Sequence, residues 1–176
     1  MTLIFLILCA ALVGLAIFVN IQPDRFKVTR SAVVPGSPAE VFAQVNSLRN
    51  WNAWSPWARM DPNAKNSFEG PEFGVDAAMS WAGNKTVGEG KMTIIESRPN
   101  EIVKFRLEFI KPFRATSTTI FTFTPEGAGT RVTWSMTGDK NFIAKGMHLM
   151  MDCDKMVGGP FEDGLRNMGE VLKKAA

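Results

Sequence analysis

The chain has 176 residues, a formal charge of +3 and 21% charged residues with both signs interspersed. That length suits one domain with a substantial core plus an appendage, and no run of like charge points to a nucleic-acid partner. Two cysteines and a single histidine exclude a disulfide framework and an ordinary His-rich zinc site.

Residues 1–22 form the appendage. "LIFLILCAALVGLAIFV", Leu3 to Val19, is uninterrupted apolar sequence. As a helix it spans roughly 25 Å, the short end of a membrane-crossing length. The expectation is an uncleaved single-pass anchor, with the membrane as partner of residues 3–19. A processed signal peptide and a buried terminal helix are the other readings. The segment lacks a basic start, and "FVNIQP" makes a poor cleavage site. Arg25, Lys27 and Arg30 follow it and nothing basic precedes it. The positive-inside rule then places the remaining chain in the cytoplasm, with the opposite side left open.

Residues 23–176 form the domain. Pro23 ends the first helix, and "RFKVTRSAVV" reads as a strand with Phe26, Val28 and Arg30 on one side. Ser37, Pro38 and Glu40 make an N-cap, an N1 proline and a capping box, opening a helix with Val41, Phe42, Val45 and Leu48 at helical spacing. Three tryptophans follow, Trp51, Trp54 and Trp57. Pro56 disfavours helix at Ser55, so Trp57 is expected in a loop, and "DPNAKN" in a turn.

Alternating segments come next. Val75, Ala77, Met79 and Trp81 share one face, and Met92 and Ile94 another, beside Gly88 and Gly90. In "EIVKFRLEFIK", Val103, Phe105, Leu107 and Phe109 oppose Lys104, Arg106 and Glu108. Phe121 and Phe123, then Val132, Trp134 and Met136, continue the pattern. From Asn141 the period becomes helical, with Phe161, Leu165, Met168 and Leu172 as the buried stripe and Gly158, Gly159 and Pro160 as an interruption or kink. The fold class is α+β: about seven strands in a strongly curved antiparallel sheet, covered by a long C-terminal helix.

Catalytic groups are sparse. His148 and Asp152 stand at i and i+4, where a surface histidine beside a solvated acid is the plainer reading. Cys153 lies between two acids, which raises a thiol pKa and makes a poor nucleophile. Glu108 points outward by alternation, whereas Glu96 shares parity with Met92 and Ile94 and is expected to face inward. Met147, Met150, Met151 and Met156 crowd one segment, suited to an adaptable apolar contact or to core filling. No catalytic residue, metal site or cofactor is assigned.

Several stretches together resemble the helix-grip fold of the START-like superfamily, in its bacterial polyketide cyclase/dehydrase-like branch. They are "VTRSAVVPGSPAEVFAQVNSLRNWNAWSPW", "MSWAGNKTVGEGKMTIIESRPNEIVKFRLEF", "TRVTWSMTG" and "GGPFEDGLRNMGEVLKK". The resemblance implies a cavity between sheet and final helix for a hydrophobic small molecule or lipid. Its expected walls are Met79, Trp81, Met92, Phe105, Leu107, Phe109, Phe121, Phe123 and Trp134 from the strands. Trp51, Trp54 and Trp57 would stand at one end, as plug or as mouth, with Met150, Phe161 and Leu165 from the final helical segment. The expected function is membrane-associated binding of such a ligand, with transport as an extension of it, without covalent change. The alternatives are a cyclase, dehydratase or hydrolase acting on an apolar substrate, and a co-chaperone-like interaction module with a filled interior.

Overall fold

The protein, seen in a computed structural model, is described over residues 2–140, 142–150 and 153–175, without the side chains of residues 3, 143, 147, 148, 150, 153 and 175. His148, Asp152, Cys153, Met147, Met150 and Met151 therefore lie, as side chains, outside the described residues.

The first helix, α1, covers Thr2–Asn20 and contains no charged residue. Most of its apolar side chains face outward, Ile4 at 65% and Phe18 at 50% exposure, while Val19 near its end is buried. The expected single-pass span is not supported: among the described residues no helix is long and apolar enough to cross a membrane. Nineteen residues give about 28 Å, just under a hydrocarbon core of about 30 Å. Lys145 ties the end of α1 to the domain, donating to the Asn20 carbonyl at 2.8 Å and pairing with Asp24 at 2.5 Å.

The sheet has seven antiparallel strands in the order β1-β7-β6-β5-β4-β3-β2. They are β1 (Arg25–Pro35), β2 (Lys65–Glu69), β3 (Ala78–Ala82), β4 (Glu89–Arg98), β5 (Ile102–Lys111), β6 (Ala115–Glu126) and β7 (Gly129–Asp139). Between β1 and β2 lie α2 (Pro38–Asn46), a short 3-10 turn (Leu48–Asn50), α3 (Trp51–Trp54) and α4 (Pro56–Met60). After β7 come α5 (Phe142–Met150) and α6 (Cys153–Ala175). α6 packs along β1 and against α3 and α4.

The expected capping box is present. Ser37 Oγ accepts from the Glu40 amide, and the Ser37 amide donates to Glu40 Oε2 at 2.7 Å. These contacts satisfy donors that a helix start leaves bare. Five local points differ from expectation. Trp57 is in a helical turn, not a loop, because Pro56 fits N1 while Ser55 before it stays extended. β2 arises within and just after the "DPNAKN" turn and was not anticipated. Val75 is exposed, ahead of a left-handed Asp76, so it does not share the buried face of β3. Glu96 faces outward: a register shift between Ile94 and Glu96 reverses the alternation, and Glu96 lies 3.3 Å from Arg98 and 3.9 Å from Lys104. Pro160 does not end α6, which continues through it.

Candidate ligand-binding site

The strand register orders the inward side chains of the sheet into rows. The outermost row runs Trp81, Gly90, Phe109. The next runs Met79, Met92, Leu107, Ser117, Gly138, Phe26. Then come Ile94, Phe105, Thr119, Met136, Val28, and after them Val103, Phe121, Trp134, Arg30. Phe123, Val132 and Ala32 follow, and Thr130 with Val34 lies beyond them.

The inner rows are filled. Trp51 lies 5.3 Å from Phe105, 5.7 Å from Phe121 and 4.7 Å from Trp54, centroid to centroid. Trp134 stacks on Phe161 at 3.9 Å and 10°, with Trp57 against its edge at 5.8 Å. Leu165 is buried beside them, and Phe123 is closed off by Phe42 at 5.7 Å. Rings meeting edge-on at these distances are in van der Waals contact and leave no room for a guest.

The position of the tryptophans has a local cause. The last turn of α2 leaves carbonyls without helical partners. Asn50 Nδ2 donates to Ala43 O at 3.1 Å, Trp51 Nε1 to Val45 O at 3.0 Å, and Trp54 Nε1 to Gln44 O at 3.1 Å. The three side chains cap the helix from below while their apolar parts enter the core. Asn167 of α6 donates to the Trp54 carbonyl at 3.1 Å and locks the segment under the final helix.

The two outer rows differ. Leu107, Phe109, Trp81 and Phe26 are only half-buried. The Trp81 ring occupies the space over Gly90, and the Phe26 ring that over Gly138. A Cβ at Gly90 would meet the Trp81 ring at 2.6 Å, and one at Gly138 would meet Phe26 at 2.6 Å and Ser117 Oγ at 2.7 Å. At the boundary, Thr119 is 2% exposed and its Oγ1 has no hydrogen-bond partner. Among the described residues Trp134 Nε1 is also buried without a partner. An unpaired buried hydroxyl costs about 1–3 kcal/mol. The floor thus offers apolar surface with an unanswered polar atom beside it.

Arg30 marks the far side. Its side chain, 23% exposed, crosses α6 at Gly158 between two acids. Nε donates to Glu162 at 2.6 Å, and Nη2 to Asp154 at 2.7 Å. The Arg30 hydrogen bonds hold the Asp154 carboxyl below its ordinary range, and the two acids hold the guanidinium above its own.

The candidate residues therefore divide. Trp51, Trp54, Trp57, Phe105, Phe121, Phe123, Trp134, Phe161 and Leu165 build the packed half, whereas Met79, Trp81, Met92, Leu107 and Phe109 lie on the outer floor. Met150 lies outside the described side chains. Phe26 and Ser117 belong to the same floor, with Thr119 and Met136 in the row behind it, and all four were missed as candidates; the alternation of their strands carried the signal. A cleft of about 420 Å³ opens at the β2 edge of this floor, lined by Leu48, Arg49, Phe68, Pro71, Glu72 and neighbours, with Phe68 paired to Met79. Among the described residues no cluster of His, Cys, Asp and Glu is placed to hold a metal.

Comparison with known proteins adds the following. A family model described as polyketide cyclase / dehydrase and lipid transport matches residues 25–173. No curated protein matches the sequence. Among solved structures, MLL2253 from Mesorhizobium loti is similar at 13% identity and TM-score 0.64, over 86% of this chain and 99% of that one. Mll3558 from Rhizobium loti is similar at 21% identity and TM-score 0.58, over 81% and 96%. The Aha1 dimer from Colwellia psychrerythraea is similar at 11% identity and TM-score 0.56, over 82% and 96%. At these identities the likeness is one of fold alone.

Proposed function

Because the chain belongs to the polyketide cyclase/dehydrase and lipid transport family, we propose that it binds a hydrophobic small molecule or lipid at a membrane, without altering it covalently. The bound molecule rests on the outer floor around Leu107, Phe109, Trp81 and Met92, not in the aromatic half. One observation carries this reading: Leu107, Phe109, Trp81 and Phe26 face inward yet stay half-exposed, near the unpartnered Thr119 hydroxyl. Affinity comes from burying ligand hydrocarbon, at about 25 cal/mol per Å² before entropy costs. Thr119 gives one hydrogen bond that orients the polar end.

Access supports the membrane part. The outer floor lies at the end of the sheet where α1 leaves the domain, since Arg25 pairs with Asp139 and Phe26 with Gly138. An uncharged helix with bare apolar sides needs apolar surroundings, which a bilayer provides. α5 begins at the same end and packs against α1. Chemistry on a substrate would need positioned titratable groups; the described floor carries hydroxyl, thioether and hydrocarbon.

A second reading has an observation in its favour. An interaction module that works through its outer surface predicts a filled interior and an exposed apolar patch, and the interlocked aromatic half and bare α1 are features of that kind. Titration with a panel of fluorescent hydrophobes separates the two. Ligand binding predicts saturable, equimolar uptake that Leu107→Arg abolishes. No uptake of any member by the wild type rejects it in favour of the module.

A further inference from the structure

The hairpin joining β5 to β6 has a feature that neither the fold nor the floor requires. Phe113 at its tip is 67% exposed, and Ile110 is exposed beside it. Lys111 and Arg114 flank them. The pairing of Ser117 with Gly138, and of Arg25 with Asp139, puts the tip level with the Asn20–Asp24 link that follows α1. With strands about 4.8 Å apart, tip and link are roughly 12 Å from each other across the sheet.

Charge at this end is uneven. Asp24, Asp139 and Glu89 are each paired, with Lys145, Arg25 and Lys111. Arg114, Lys140 and, on the β3–β4 connection, Lys85 remain as cations without a salt-bridge partner among the described residues. At the opposite end Glu101 and Glu126 are paired with Arg98 and Arg131, while Glu72 and Asp76 on the β2–β3 connection have no salt-bridge partner among the described residues. An anionic lipid surface fits the first end and is repelled by the second.

Resting on the membrane reading of α1, we propose that the β5–β6 hairpin tip is a second lipid contact. Phe113 and Ile110 enter the headgroup boundary, Arg114 and Lys140 engage anionic headgroups, and the outer floor is thereby held facing the bilayer. Two contacts fix an orientation that one tether leaves free.

The test uses the full chain with vesicles of phosphatidylcholine alone and of phosphatidylcholine mixed with phosphatidylglycerol. Binding is read by sedimentation, and amide exchange of residues 110–114 is followed in parallel. The proposal expects those amides to slow on mixed vesicles. Phe113→Asp should lower partition by about tenfold, from the loss of one buried aromatic side chain, and Arg114→Glu should weaken binding to mixed vesicles only. Phe73→Asp is the matched control: Phe73 is 64% exposed but sits on the β2–β3 connection beside α2, where Gly74 N bonds Asn46 O. It should change nothing. Vesicle binding with unchanged hairpin exchange, or equal effects of Phe113→Asp and Phe73→Asp, overturns the hairpin contact and leaves α1 standing. No binding of the wild type to either vesicle removes both.

Discussion

Replacing Gly158 by alanine should destabilise the protein, although alanine is ordinarily the better helix residue by about 1 kcal/mol. The reason is Arg30. A Cβ on Gly158 would fall 2.9 Å from Arg30 Nε and still closer to Cζ and Nη2. The guanidinium cannot yield without giving up Glu162 on one side or Asp154 on the other. Overpacking of this kind costs about 1–3 kcal/mol, so the expected net effect of Gly158→Ala is a loss of about 1 kcal/mol. In an Arg30→Ala background the obstacle is gone, and the same change should stabilise by about 1 kcal/mol through helix propensity. The two backgrounds then differ by about 2 kcal/mol, within the range of coupling between touching residues. Urea denaturation followed by tryptophan fluorescence measures all four proteins, with equal m-values as the check on two-state comparison. A stabilising Gly158→Ala in the wild type, equal to that in Arg30→Ala, would refute the argument that Arg30 occupies the space over Gly158.

Trp54→Phe should cost about 1–3 kcal/mol in the same assay, because it strips the Gln44 carbonyl of its donor while keeping most of the ring. Ser37→Ala should cost about 1 kcal/mol through loss of the capping box. Asp154, Asp24, Glu40 and Glu126 all have carboxyls held below their ordinary range, by hydrogen bonds from Arg30, Lys145, the Ser37 amide and Arg131 respectively. Depressed folded-state values give stability that is present above the ordinary carboxylate range and lost as pH falls through the folded-state values. Circular dichroism from neutral to acid pH should therefore show the gap between wild type and Asp154→Asn closing on the acid side; a gap that is constant with pH contradicts it. Thr119→Val should leave the fold as stable or more so, since it removes an unpaired hydroxyl, while weakening uptake of ligands with a polar end group.

Some of this was legible in the sequence. The order of elements, the capping box and the inward faces of β5, β6 and β7 follow from local spacing. The resemblance to the START-like superfamily and its polyketide cyclase/dehydrase-like branch holds in both the family match and the fold. Alternation shows which side chains face inward but not what meets them. Nothing in the spacing of Trp134 and Phe161 says that they stack and close half of the grip. The shift at Glu96 is invisible for the same reason: one extra residue in one strand reverses parity without changing composition. The clasp of Arg30 over Gly158 joins residues far apart in the chain, and a glycine beside a proline reads locally as a break. α1 reads as a span because its length and hydropathy lie at the threshold for crossing a bilayer.

The account rests on a guest held by the outer floor, and mass spectrometry of apolar material carried through purification by the full chain tests it most directly. Wild-type protein should retain one class of hydrophobic molecule in equimolar amount, and Leu107→Arg, equally folded, should retain none. Empty wild-type protein, or the same molecule held undiminished by Leu107→Arg, would contradict it.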